Sequence, residues 1–368
     1  MASNNQMYNE NTLKLGLFSP NCSGGMAITK IPERWDASWE NNLKLGLLAD
    51  EVGIEFILPI ARWIGYGGDT DFQGTNLETI TWCAGLLAAT KRVSVFATAH
   101  TAFTHPIVAA KQFATIDHIS AGRFGLNVVC GWNKPEYDMF GIELADDHET
   151  RYAFGQEWFD IVRKIWTSDE KFDWDGKYFK LSNVYGNPRP YDGVPPVMNA
   201  ASSAEGRNFA AKNADYLFTV LIDPEMGKAD VQAIKALGKE QGRDIGVFTT
   251  SYVVCRPTKK EAEEYHEYYA NENADWPAVD RLMDLQGVHA QSFPKEAFAL
   301  FRNRFAGGHG VFPLIGSPDD VAEGLATISA AGFSGTTLSF VDYVKELPYF
   351  AQEVLPRLEK KGLRMPVA

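Results

Sequence analysis

No apolar run in this sequence reaches the roughly 18 residues that a bilayer span needs. The opening stretch, MASNNQMYNENT, has no signal-peptide core either, and its polar composition predicts a flexible leader over residues 1–12. A membrane partner is excluded on these grounds. Positive clusters are also missing: the net charge is −12, and no Lys/Arg run is longer than a pair such as Lys259-Lys260. Phosphate backbones need a positive footprint, so nucleic acid is excluded as a partner. The four cysteines, Cys22, Cys83, Cys130 and Cys255, stand far apart with neither metal-ligand nor redox spacing. They read as buried free thiols of a protein working in a reducing cytoplasm. There is no H-E-x-x-H, no histidine pair four apart, no G-x-S-x-G elbow and no phosphate-loop signature. No metal is expected, and no nucleophile elbow or nucleotide loop.

What the sequence has is a rhythm. Eight apolar runs read as strands, at 13–18, 54–62, 92–100, 123–132, 196–201, 215–222, 246–255 and 335–342, each followed by a helical pattern. Runs apolar on both faces suit parallel strands covered by helices. Eight such units in 368 residues predict a (β/α)8 TIM barrel forming one domain. The rhythm breaks at 168–196, after strand four, and at 274–312, after strand seven; both are read as insertions. Within the first, FDWDGKYFKL carries an Asp-Gly turn between alternating runs and predicts a β-hairpin. A doubly wound sheet is the alternative, but no G-x-G-x-x-G opens the first helix.

Catalytic groups of such barrels gather at the C-terminal strand ends. Those ends deliver residues 19–25 from the first strand, Pro59, Ile60, Ala61, Arg62 and Trp63 from the second, Thr98, His100 and Thr101 from the third, Asn127 and Trp132 from the fourth, Asn199, Ser202 and Ser203 from the fifth, and Ser339 and Asp342 from the last, which are neutral hydrogen-bonding groups, aromatics and one arginine. Few strong acids or bases and an apolar mouth suit an organic cofactor that carries the reaction itself. Asn127 is an amide inside an otherwise apolar strand, GRFGLNVVCGWNKPEY, and on the residues alone it is as well explained by a structural bond to backbone. Ser202-Ser203 stand at a strand-to-helix junction, where free N–H groups attract a phosphate; read alone, Ser203 is simply a helix cap. Arg151 and Tyr152 open the helix after strand four.

The segments GRFGLNVVCGWNKPEYDMFG, AAKQFATIDHISAGRF, HETRYAFGQEWFDIVRKIW and PLIGSPDDVAEGL resemble the bacterial luciferase-like, flavin-dependent monooxygenases, over about residues 13–360. Pyrimidine-oxygenating and sulfone-oxygenating members look most similar. The resemblance implies a (β/α)8 barrel that takes reduced FMN from a separate NAD(P)H-dependent flavin reductase. It implies O2 as co-substrate, a flavin peroxide for which N5 and C4a both stay open and the pyrimidine-type pocket favours N5, and a small organic substrate, either an amide-like N-heterocycle or an organosulfur compound. It further implies a homodimer or homotetramer. The oxygen pocket of the pyrimidine-oxygenating members falls here on Leu58, Thr98, Asn127 and Trp132. Their FMN contacts fall on Ala61, Arg62, Asn127, Glu136, Arg151, Tyr152 and Ser203, with Ser202 beside it; Arg62 replaces a lysine. His100, with an ordinary imidazole pKa near 6.5, is the candidate for substrate specificity. The same fold admits two other functions, hydride transfer with coenzyme F420 and flavin binding without catalysis.

Overall fold

A computed structural model describes residues 3–288 and 295–367; the part of the second expected insertion at 289–294 lies outside them. Strands β1 (Lys14–Phe18), β2 (Phe56–Leu58), β3 (Ser94–His100) and β4 (Phe124–Val129) lie side by side. A separate antiparallel hairpin, β5 (Phe172–Asp175) and β6 (Lys180–Val184), forms where the Asp-Gly turn predicts one. The main sheet continues with β7 (Val197–Ala200), β8 (Tyr216–Phe218) and β9 (Gly246–Cys255). Strand β10 (Phe312–Gly316) pairs with the far half of β9, and β11 (Gly335–Ser339) joins β9 to β1. All pairings of this sheet are parallel. The closed ring is β1-β2-β3-β4-β7-β8-β9-β11, so the eight predicted strands make the barrel. The short β10 had no counterpart in the sequence reading and flanks the ring.

Helices α1 (Trp39–Val52), α2 (Thr79–Ala89) and α3 (Pro106–Ser120) follow the first three strands. After β4 come a short α4 (Lys134–Phe140) and the long α5 (His148–Thr167). Helices α6 (Ala204–Asn213), α7 (Pro224–Glu240), α8 (Lys259–Glu267), α9 (Trp276–Leu285) and α10 (Lys295–Gly308) precede β10. α11 (Pro318–Ala330), α12 (Tyr343–Glu353) and α13 (Leu355–Lys360) complete the outer layer. Local chemistry sets many of these ends. Ser38 caps α1 and Gly53 ends it in the left-handed conformation, while Ser317 and Asp320 form a reciprocal cap on α11.

The barrel is filled at its N-terminal end. Phe56, Phe96, Tyr216 and Phe248 point inward and meet edge-to-face, with ring centres 5.3–5.8 Å apart. Each needs a partner without a side chain. Gly125 lies opposite Phe96 and Gly16 opposite Phe56, and a Cβ at either position would enter the ring. Pairing large residues with small ones lets rings fill the tapering interior and leaves access only at the C-terminal end.

The N-terminal segment departs from expectation. Instead of a flexible leader, it packs under the barrel floor: Met7 is buried against Phe56, Phe96 and Phe248. The Asn5 amide donates to the Phe124 carbonyl (3.1 Å), and the Gln6 N–H donates to Ser94 Oγ (2.9 Å). A polar composition conceals one apolar side chain that the floor requires. Met7→Ala is therefore expected to cost about 2–5 kcal/mol, the range for emptying a buried methionine site. Urea unfolding measures this, and an unchanged midpoint would restore the leader reading.

Candidate active site

Strand register makes the centre of the site. Thr98 and Asn127 are direct partners across β3 and β4. The Asn127 amide donates to Thr98 Oγ1 (3.1 Å), and the Thr98 hydroxyl donates to the Pro59 carbonyl (2.7 Å). Both side chains are buried, as is Leu58 next to Pro59. Two of the four expected oxygen-pocket residues, Thr98 and Asn127, are thus in direct contact, and Leu58 precedes the proline that holds Thr98. The Thr98 proton is committed to Pro59, so Thr98 orients the amide and has no free donor of its own. The Asn127 carbonyl oxygen is buried and has no hydrogen-bond partner.

Beside this pair, Arg62 and Glu136 form an ion pair of 3.0 Å with both side chains buried. The same Glu136 oxygen accepts from the Trp63 N–H at 2.9 Å, tying the loop after β2 to α4. Arg62 Nε donates to Gln73, and its guanidinium lies 4.7 Å over the Tyr66 ring and 5.6 Å over Trp132. The second Glu136 carboxylate oxygen has no partner. Trp132 is 39% exposed, so it stands on the rim as a lid over Arg62 and does not by itself seal the Thr98–Asn127 pair from water. The chain turns just before it at Gly131, with φ 108°. A side chain at 131 would collide with the Tyr137 hydroxyl, which donates to the Cys130 carbonyl. Tyr137 is the neighbour that requires the glycine.

A second group sits at the start of α6. Ser203 caps that helix, its Oγ accepting from the Gly206 N–H at 3.2 Å. The Tyr152 ring from α5 packs on Phe209, and its hydroxyl borders Gly206, so Tyr152 and Ser203 share this corner. Ser202 is exposed beside them, and Arg151 donates to the Ala145 carbonyl at 2.9 Å. Ala61 lies buried next to Arg62.

His100 overturns the expectation of an ordinary imidazole. Burial, and then the positive charge of Arg62, lower its pKa to about 3. It is neutral at physiological pH, with a buried Nδ1 that has no partner. The sequence reading missed His309, which follows α10 and packs on Tyr66 and Phe72. The same two causes lower its pKa to about 3, and its Nε2 is also buried without a partner. Tyr66 and Gln73 were missed as well. The one local signal was the glycine cluster around His309, GGHG, inside a stretch without periodicity.

Among the described residues no group of three or more His, Cys, Asp or Glu is placed to hold a metal ion, and all four cysteines are buried free thiols. Neutral histidines and a self-paired Arg62–Glu136 can bind and orient. The two histidines, held neutral, offer no acid or base poised near neutrality. Buried acceptors without donors, at Asn127 and Glu136, fit a ligand that brings N–H groups.

Burial of neutral histidines makes stability depend on pH. A lowered folded pKa means the unfolded chain protonates first, so this stability is full above about pH 6.5 and is lost as pH falls toward 3. At pH 5.5 each histidine is expected to cost about 1.4 kcal/mol relative to pH 7.5. His309→Gln should lose correspondingly less over that interval in urea unfolding; an identical loss would contradict the neutral buried state.

The luciferase-like monooxygenase family model matches residues 13–335. The pyrimidine monooxygenase RutA of Acinetobacter baylyi is 30% identical over 355 residues, covering 95% of each chain. Among solved structures, a riboflavin lyase (RcaE) with modified FMN and riboflavin superposes with a TM-score of 0.86 at 20% identity, covering 96% of this chain and 93% of its own. DmoA from Hyphomicrobium sulfonivorans gives 0.85 at 18% identity, covering 96% and 89%. No helix among the described residues is long and apolar enough to cross a membrane. The eight-stranded barrel, the match over most of its length and the full-length likeness to a monooxygenase lead to one conclusion: the chain belongs to the luciferase-like family of flavin-dependent monooxygenases.

Proposed function

We propose that the protein is the oxygenase of a two-component system. It receives reduced FMN from a separate NAD(P)H-dependent flavin reductase in the cytoplasm and uses O2 to oxygenate a small organic molecule. An amide-like N-heterocycle and an organosulfur compound are the two substrate classes in view. The observation that carries this reading is the buried face of the mouth, where two acceptors, Asn127 Oδ1 and Glu136 Oε2, have no donors. Reduced flavin carries an extra ring N–H relative to oxidised flavin, so such a face favours the reduced form. Ala61, Arg62, Asn127 and Glu136 would hold the ring, and Arg151, Tyr152, Ser202 and Ser203 its phosphate at the start of α6. When bound, the reduced flavin supplies the electrons that activate O2.

The chain's own contribution is positioning. Pro59 fixes the Thr98 hydroxyl, Thr98 fixes the Asn127 amide, and the amide oxygen is left without a donor of the protein. Leu58 is buried next to Pro59, and Trp132 covers Arg62 at the rim. His100, neutral and on the same strand face two residues beyond Thr98, contacts the substrate. Preorganised dipoles in a water-poor site need no rearrangement as charge develops, which is where each can contribute about 3 kcal/mol.

Reduced FMN is expected to bind at least tenfold more tightly than oxidised FMN in anaerobic titrations. The purified chain alone is expected not to oxidise NAD(P)H. Substrate-dependent O2 uptake should appear only when a flavin reductase is added. Hydride transfer with coenzyme F420, without O2 uptake, would overturn the reading.

Asn127→Ala and Thr98→Ala are each expected to lower oxygenation about 10²-fold, while Thr98→Ser retains most of it. Full activity in Thr98→Ala would show that Asn127 needs no such anchor. Ser203→Ala is expected to weaken FMN binding by about 1–2 kcal/mol, the scale of a charge-assisted bond. An unchanged dissociation constant would leave Ser203 as a cap alone.

A further inference from the structure

A cavity of about 310 Å³ opens where β9 ends at Cys255 and α12 begins, lined there by Arg256, Pro257, Phe340, Lys345, Glu346 and Tyr349. None of these residues belongs to the barrel mouth described above. Pro257, Phe340 and the half-buried Tyr349 ring supply apolar surface. Of the charged side chains that line it, two are cations and one is an anion, in a chain whose net charge is −12.

Arg256 is fixed at this cavity without being used up. Its Nη1 donates to the Cys255 carbonyl (2.9 Å) and to Glu346 Oε2 (2.8 Å), and its guanidinium lies 4.1 Å over the Tyr265 ring. Among the described residues no acceptor meets its Nε or Nη2. Glu346 is committed as well: its other oxygen accepts from the Asp342 N–H at 3.0 Å. One end of the guanidinium is therefore occupied, and the edge formed by Nε and Nη2 is open. Lys345, on the same turn of α12 as Glu346, is paired with Asp342 at 2.8 Å but is 72% exposed. An exposed pair is held weakly, so this ammonium can turn toward a second anion.

We propose that this cavity is a second small-molecule site, and that its ligand is a small carboxylate with an apolar body. Two parallel N–H groups on one guanidinium edge match a carboxylate in geometry as well as in charge. Tyr265 and Glu346 hold that edge in place before a ligand arrives, which lowers the ordering cost of binding. Pro257, Phe340 and Tyr349 receive the body, and the volume is at the small end of the range for small-molecule sites. The proposal is independent of the oxygenase reading.

The test is calorimetric titration of the full chain at pH 7.5. The probes are benzoate, cyclohexanecarboxylate and hexanoate, with benzamide as the uncharged counterpart and acetate as the counterpart without a body. At least one of the three carboxylates is expected to saturate with a Kd of about 1 mM or below, and benzamide and acetate are expected to bind at least tenfold more weakly. Arg256→Lys, which keeps the charge and removes the fork, should weaken carboxylate binding about tenfold. Because that change also touches the Glu346 pair, Tyr349→Ala at a half-buried position serves as the second variant and should weaken binding several-fold. FMN affinity should be unchanged in both. No saturation by any of the three carboxylates would overturn the proposal, as would equal binding of benzamide and benzoate. Binding that persists unchanged in both variants, or that competes with FMN, would place the carboxylate elsewhere and overturn it too.

Discussion

The buried ion pair between Arg62 and Glu136 is the constraint on which the barrel mouth depends. Two charges removed from water are tolerable only when each satisfies the other and their remaining polar atoms find partners. Here one carboxylate oxygen takes both the Arg62 guanidinium and the Trp63 backbone N–H, so a single atom joins the end of β2 to α4. Removing one partner would leave an uncompensated buried charge, a loss of about 3–5 kcal/mol. The pair also fixes the guanidinium between Tyr66 and Trp132 and places a positive charge near His100 and His309. The pair thus adds to the burial that keeps both histidines neutral, and it fixes the guanidinium under the aromatic rim.

The closed end of the barrel supports the open end. Aromatic rings packed against glycines fill the floor, and Met7 covers it from below. With no path through the floor, a ligand enters among the C-terminal loops, and the polar groups there work in a water-poor setting. That setting gives the Pro59–Thr98–Asn127 relay its value. In water the amide would rotate freely and its dipole would be screened; between packed strands it keeps one orientation.

Likeness to solved structures at about 20% identity identifies the scaffold, while the chemistry belongs to the mouth. Two features shape that mouth: an arginine held by Glu136 and Gln73, and the neutral, buried His100. Neither alters the barrel. Both act on what the barrel can hold, which is where members of one fold diverge.

The sequence by itself determined the eight barrel strands, the hairpin and the helix caps. Each of these is written in a few consecutive residues: apolar runs between turn signals, Asp175-Gly176, Ser203 ahead of its helix. It also put Thr98 and Asn127 at neighbouring strand ends, and the register of β3 on β4 makes them direct partners. Tertiary structure decided the rest. Met7 is buried by rings far along the chain, at Phe96 and Phe248, so no local pattern could distinguish it from a leader residue. β10 is five residues long and gains its hydrogen bonds only because β9 extends past the barrel to meet it. His309 and Tyr66 lie in stretches without periodicity and meet only through the fold. The charge state of His100 was beyond any reading of its neighbours in sequence. A pKa is set by burial and by nearby charge, and both arrive from Arg62 and the loops around it once the chain has closed.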